Sequence, residues 1–457
     1  MKITVIFGTA GTGKTTWLAN KYSELLQKYK PSDIVFLSYT KRQVTHGKRK
    51  VKSKVRMPMK NLTSFQTIHA MSKKSYTRDY QVLDDVIGFK MSKFLDVDML
   101  PVIRGINYMK NVMTDNDAVG ANKAGMDVRS FQKKKFFYES VKSGLSNYEQ
   151  MIDFSDMIEN AINTNYKNPA KVLILDEAQD FSPLQWRAIY SAFKDVEELY
   201  VAGDPMQALY RFSGGLSNYM YDIRCDETVI LEEGHRCCEP VLNMAQLVAN
   251  RMERSIPLPS PVNMRDCFAV FYPDKNIFPL LSAVNYSRRH GYKVMILANT
   301  YYQLDLTRKK LLGAYQNYPH HFFAGRKREF YRGGERNPLI FSTVHQAKGQ
   351  EADIVLYNVS CGSVDEFTDF GTKTERWEDY WKIVYTGITR AKRGLVVFQL
   401  TNPSVEEPNC LDTLYYSKFN YEKYREWFAK KGNTKHYNEY LTVSQDNLRN
   451  TSFCYTA

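Results

Sequence analysis

Short apolar runs punctuate the chain. Lys2–Phe7 (KITVIF), Ile34–Ser38 (IVFLS), Val172–Leu175, Leu199–Ala202, Thr228–Glu232 (TVILE), Lys293–Leu297 (KVMIL) and Leu339–Thr343 each read as a strand. Most are apolar without alternation, the pattern of strands covered on both faces in a parallel sheet. Between the first two, Trp17, Leu18, Tyr22, Leu25 and Leu26 recur at helical spacing. Strand, helix, strand in repetition predicts an α/β fold. The region from about 80 to 165 is different: helical in period, rich in lysine and aromatic residues, and without strong strands. It reads as a helical insertion that interrupts the first sheet. Beyond Leu400 the chain is rich in Tyr, Phe, Trp and Lys, and Tyr415 to Lys431 reads as a helix.

The first strand runs into Gly8-Thr9-Ala10-Gly11-Thr12-Gly13-Lys14-Thr15-Thr16, and the first helix follows at once. This is G-x-x-x-x-G-K-[ST] in the context that gives it meaning. The glycines let backbone N–H groups curl around a polyphosphate, and the helix N-terminus adds its positive end. Lys14 would reach the β- and γ-phosphates, and the Thr15 hydroxyl would ligate Mg²⁺.

Two further strand ends carry polar chemistry. Val172–Leu175 ends in Asp176-Glu177, which places two carboxylates beside the glycine loop if both strands share one sheet. Asp176 would hold the Mg²⁺ shell, and Glu177 would orient and deprotonate a water. Leu199–Ala202 exits through Gly203-Asp204-Pro-Met-Gln207 to Tyr210 and Phe212. Gln207 could touch a γ-phosphate and an attacking water, and the two rings could reach a base.

Charge narrows the partner. The 457 residues carry a net +14, and 14% are aromatic. Both favour a polyanion with bases to stack on. Lys41 to Lys60 holds nine Lys/Arg and no acid, on the ligand side of the sheet, and is read as contacting a phosphate backbone. The seven cysteines form no C-x-x-C pair. Reduced thiols in a cytosol-like compartment are expected, and no apolar run reaches membrane-spanning length.

In order along the chain, GTAGTGKTT, LSYTKRQV, TIHA, ILDEAQD, GDPMQALYRF, LEEGHRC, STVHQAKGQEADIV and VYTGITRAK resemble the motifs of superfamily 1 DNA helicases of the UvrD, Rep and PcrA kind. They span Gly8 to Lys392. The resemblance implies two RecA-like parallel-sheet cores with ATP in the cleft between them and single-stranded DNA across their tops. The first core would occupy 1–90 and 166–232, with the insertion at 91–165. The second would occupy 233–402, with a small remnant insertion near 301–336, and 403–457 would be a C-terminal extension.

By the same resemblance, Arg236 and Arg390 reach phosphate from the second core, with Arg390 as the arginine finger. His235 stands where relatives have an adenine-stacking tyrosine. Gly349 and Glu351 belong to the ATP site, with Glu351 on the ribose. Tyr39, Thr40, Lys41, Arg42, Phe65, Thr67, His69, Tyr210, Phe212, Thr343 and His345 face DNA. The upstream glutamine segment by which relatives read adenine does not precede the first strand, so altered nucleotide selectivity is expected. About 45 residues separate Leu297 from Thr343, too few for the large accessory insertion, and the size matches compact phage-type helicases. The expected partners are ATP, Mg²⁺, single-stranded DNA and tailed or forked duplexes, with replication or single-strand-binding proteins as further candidates. A cytoplasmic monomer without membrane contact is expected, in the host cytoplasm if phage-encoded. The motifs fit a duplex-unwinding helicase and equally a translocase that strips proteins from DNA. Motif three leans to 3′→5′ movement, the compact size to the reverse.

Overall fold

The computed structural model describes residues 1–55, 57–76, 80–82, 98–145, 150–216, 218–261, 267–272, 278–313, 319–325, 327–334, 337–359 and 373–400. The expected helix Tyr415 to Lys431 and the whole 403–457 extension lie outside them. The described residues form two units. The first holds Met1–Arg236, Ala249–Pro261 and 373–386; the second holds Cys237–Val248, 267–359 and 387–400.

The first unit is built on β1 (Lys2–Phe7), β2 (Ile34–Ser38), β3 (Phe65–Thr67), β6 (Val172–Asp176), β7 (Glu198–Gly203) and β8 (Glu227–Ile230), in the order β3-β2-β6-β7-β1-β8. Every pairing is parallel. The uninterrupted apolar runs have a direct cause. Val5, Val35, Leu37, Leu173 and Leu175 pack against one layer, which includes Ile68, Trp186 and Ile189. Their neighbours Ile6, Ile34, Phe36 and Ile174 pack against the opposite layer, which includes Leu18, Tyr22 and Val51. Successive side chains point to opposite faces, and both faces are covered by helices.

Register fixes what leaves the sheet together. Phe7 aligns with Gly203, and Ser38 with Asp176. Gly8, Glu177 and Asp204 therefore emerge from one edge, at the carboxyl ends of their strands, where ligands bind in such sheets.

The insertion is helical as its period predicts. Leu100–Val112, Asp117–Ala124 and Val128–Leu145 enclose a core of Val102, Ile106, Met109, Phe131 and Tyr138. Two of these helices meet backbone to backbone: a Cβ at Gly105 would lie 2.5 Å from the Gly120 carbonyl oxygen. Ion pairs tie the insertion to the helix Phe154–Asn163. Lys142 Nζ lies 3.0 Å from Asp153, and Lys110 Nζ 3.1 Å from Glu159; both lysines also grip Asp156. The short strands β4 (Tyr80–Val82) and β5 (Gln150–Ile152) pair with each other, as do β9 (Glu233–Gly234) and β10 (Ser260–Pro261).

The second unit carries β11 (Phe268–Tyr272), β12 (Val294–Ala298), β13 (His320–Ala324), β14 (Lys327–Glu329), β15 (Leu339–Thr343), β16 (Ala352–Asn358) and β17 (Ala391–Phe398). Their order is β11-β17-β16-β12-β15-β13-β14. All pairings are parallel except the β13–β14 hairpin. The fold is thus α/β with two parallel-sheet, RecA-like units. No described helix is long and apolar enough to cross a membrane.

Candidate functional site

The glycine loop turns where its glycines allow it. Gly11 and Gly13 both sit at φ +82°, a left-handed conformation that side chains resist. Gly13 is the N-cap of the helix Lys14–Leu25 and offers no side chain there. Gly11 meets a second constraint: a Cβ on it would lie 2.3 Å from Arg236 Cβ. The His235 N–H donates to the Gly11 carbonyl at 2.9 Å, and a Cβ on Gly13 would come within 3.7 Å of the His235 ring. His235 and Arg236 therefore lie against the loop as part of the first unit. Sequence reading had assigned Arg236 to the second core. The short β9 strand and this contact explain the difference. Within the loop, Lys14 Nζ donates to the carbonyls of Gly8 (2.6 Å) and Thr9 (3.3 Å), and Thr12 Oγ1 to Thr9 O (2.9 Å).

The acids stand opposite. Thr15 Oγ1 donates to Asp176 Oδ2 at 3.0 Å. Burial, with the charge of Glu177 second, pushes the Asp176 carboxyl up to about 7. Burial also raises Asp204, against the pull of Lys14. A buried carboxylate raised in this way gains from any cation placed beside it. One hydroxyl and one carboxylate within hydrogen-bond reach suit Mg²⁺, which takes few protein oxygens and completes its shell with phosphate and water. Among the described residues no cluster of three His, Cys, Asp or Glu offers a self-sufficient metal cage. Glu177 itself is held at φ 58°, ψ 43°, an uncommon backbone for a residue with a side chain.

One residue binds this edge together. Gln179 is fully buried. Its Nε2 donates to Glu177 Oε2 at 2.6 Å, and its Oε1 accepts from the Asp204 N–H at 3.1 Å. Gly203 has to be glycine here: a Cβ would stand 2.5 Å from Gln179 Oε1 and 2.4 Å from Met220 Sδ. Gln207 Nε2 donates to Asp204 in turn. The chain Glu177–Gln179–Asp204–Gln207 links the ends of β6 and β7. Sequence reading singled out Glu177 and Gln207 but not Gln179, which links them.

A family model described as an AAA domain matches residues 1–213, which hold the loop, both strand ends and the Gln179 link. Over about half its length the chain resembles the UvrD-like superfamily 1 proteins. A "Probable DNA helicase II homolog" of Mycoplasma genitalium is 23% identical over 288 residues, covering 54% of this chain and 40% of that protein. "ATP-dependent DNA helicase PcrA" of Leuconostoc citreum is 22% identical over 55% of this chain and 38% of its own length. "DNA helicase IV" of Escherichia coli is 24% identical, over 56% and 38%. The alignments with these relatives span about 40% of the relatives' length.

The second unit holds its own candidates separately. Arg390 is buried, and its guanidinium donates to the Gln350 carbonyl and the Thr389 hydroxyl, each at 3.3 Å. Glu351 pairs with Lys392 at 2.5 Å. Gly349 takes φ +77°. Thr343 is buried at the start of the short helix Val344–Ala347, which carries half-buried His345.

The candidate DNA residues divide. Tyr39 packs on Tyr210 (ring centroids 4.9 Å), Tyr210 on Phe212 (5.8 Å), and Phe212 is 46% exposed. Burial pushes the Tyr39 hydroxyl up to about 12, so it stays a neutral ring. Thr40 caps the basic helix Lys41–Lys54 in a reciprocal capping box with Gln43, leaving Lys41 and Arg42 exposed at its start. Thr67 is also a cap, its hydroxyl accepting from the Ala70 N–H at 3.2 Å. Phe65 is a correction: it is buried, stacks on Phe36 at 4.8 Å and touches Tyr22, so it is a core ring. In a three-residue strand the alternation is too brief to reveal which face a ring takes. Half-buried His69 meets an aromatic that sequence reading passed over. Phe154 is 48% exposed with its ring edge-on to His69 at 5.2 Å. An exposed phenylalanine opening a helix was the available signal.

Proposed function

We propose that the chain is an ATP-dependent motor that moves along single-stranded DNA and unwinds duplex DNA, in replication, recombination or repair. The observation that carries the reading is the convergence at one sheet edge of the glycine loop, Lys14, Asp176, Glu177 and the Gln179–Asp204–Gln207 link. Phosphoryl transfer to water asks little covalent chemistry of a protein. It asks for positioning and for charge placed where charge develops. Lys14 would hold the β- and γ-phosphates in the cradle of Gly8 to Thr16. Thr15 and Asp176 would hold Mg²⁺, which when bound neutralises phosphate charge. Glu177 would orient and deprotonate the attacking water, and Gln207 would sense the γ-phosphate. Arg236 and Arg390 would supply cations, His235 would face adenine, and Gly349 and Glu351 the ribose side.

The Tyr39–Tyr210–Phe212 ladder, the His69–Phe154 pair and Lys41–Arg42 support a track for a single strand. Thr343 and His345 would extend it. Each stacked base is worth roughly 1–3 kcal/mol whatever its identity. That is comparable with the ~1.4 kcal/mol mean DNA stacking step, so stacking on the protein can compete with stacking in the duplex.

Strand displacement on duplexes with a 3′ tail, a 5′ tail or a fork, with ATP and Mg²⁺, tests the reading. Unwinding from one tail supports it and sets the direction. DNA-stimulated ATP turnover without unwinding replaces it with a translocase. Absence of turnover removes the catalytic roles of Glu177 and Arg390.

A further inference from the structure

The second sheet ends in a hairpin whose outer face is not that of an ordinary edge. Along β13, Phe322 and Ala324 are buried toward the core, so His321 and Phe323 take the other face. That side of an edge hairpin is normally polar. Here His321 stacks on Phe323 (centroids 5.9 Å), and Phe330 stands edge-on to both, at 5.3 Å from Phe323 and 6.1 Å from His321. Phe330 is 61% exposed.

Arg328 is the cross-strand partner of Phe323 and shares its face, exposed, with exposed Arg332 close behind in the chain. The one carboxylate between His320 and Gly334 is Glu329. It pairs with Phe322 on the core side and is held by Arg308 at 2.8 Å. The two strands thus segregate their groups: aromatic rings and arginine outward, the acid inward. The Tyr331 N–H donates to His321 Nδ1 at 3.1 Å, burial lowers the His321 pKa, and the ring stacks on Phe323.

We propose that this hairpin face binds single-stranded DNA, with bases stacked on Phe330 and Phe323 and phosphates on Arg328 and Arg332. The proposal rests on the single-strand reading above and adds a contact outside the motifs that carry that reading. Aromatic rings interleaved with arginines, with no acid on their face of the two strands, match what a polyanion with stacking bases requires. A purely apolar docking face would not need the arginines.

Ultraviolet crosslinking of the full chain to oligo(dT), with the crosslinked peptides mapped by mass spectrometry, tests it beside fluorescence anisotropy. The expected crosslink falls on the peptide holding Phe323 or Phe330. Phe330→Ala should weaken single-strand binding about fivefold or more. Arg328→Ala should lower the salt slope of binding by about one. If Phe330→Ala fails to fold, Arg328→Glu at an exposed position carries the same test. Crosslinks confined to Tyr39, Tyr210 or Phe212, with both variants binding as the wild type does, overturn the hairpin site and leave the motor reading intact. A wild-type chain that binds no single strand overturns both. Self-association lost in Phe330→Ala, with DNA affinity unchanged, makes the face a protein contact and overturns the proposal.

Discussion

At the exit edge of the first sheet, three strand ends bring Lys14 together with buried carboxylates, and burial raises Asp176 and Asp204. At the corresponding loops of the second sheet the balance is reversed. Arg390 is satisfied by a carbonyl and a hydroxyl, and Lys392 by an exposed glutamate. The first edge gathers buried carboxylates, and the second carries Arg390 and Lys392. A carboxylate raised by burial is stabilised by a metal or a cation. Both sheets are mostly parallel, but they differ in strand order and in the sign of what they offer.

The sharpest way to break this contrast is at the loop. Lys14→Ala removes the cation facing the acids and should abolish ATP turnover, while single-strand binding by anisotropy remains. Turnover within tenfold of wild type would take Lys14 out of the site. Next in size is Arg390 of the second unit: Arg390→Ala should lower kcat by about 10³-fold, the lower end for a residue acting as an arginine finger. An unchanged kcat would confine Arg390 to holding Gln350 and Thr389.

Gln179→Met keeps the length of the side chain and removes both hydrogen bonds. It should lower kcat by about 10- to 100-fold with little change in KM for ATP. In a Glu177→Gln background it should cost almost nothing more, since the two act as a unit. Additive losses would separate them. The smallest effect is a pH slope. Burial lowers the His69 pKa to about 4 from an ordinary 6.5, so between those values the unfolded chain binds more protons. Stability from this group is complete above pH 6.5 and declines as pH falls toward 4. His69→Gln should flatten that part of the Tm–pH curve, and an unchanged slope would assign the loss to other groups.

How much of this was legible in the sequence differs by kind of residue. Five strands of the first sheet and two of the second, β12 and β15, declared themselves as apolar runs, while β3, β11, β13, β14, β16 and β17 were not singled out in this way. The glycine loop was legible because its spacing is tied to backbone conformations that only glycine takes easily, as Gly11 and Gly13 do. The insertion was legible from its helical period. Phe65 was misread because burial depends on which layer a short strand faces. Gln179 was missed because a buried side chain's partners lie across the sheet, 25 residues away at Asp204, and no local pattern records them. The described residues of the expected remnant insertion near 301–336 contain the helix Tyr301–Gly313 and the β13–β14 hairpin.

Gln179 also works as a caliper. Its amide is asymmetric, with a donor jaw on Glu177 and an acceptor jaw on the Asp204 backbone, and the opening between them is fixed by covalent bonds. Hydrogen bonds tolerate only a few tenths of an ångström before they weaken. A ligand that shifts the end of β7 against the end of β6 by about an ångström must therefore open one jaw. A glutamate of the same length could not close the caliper, since it has no N–H to offer Glu177. The spacing of two strand ends is thereby written into the hydrogen-bonding of a single side-chain amide.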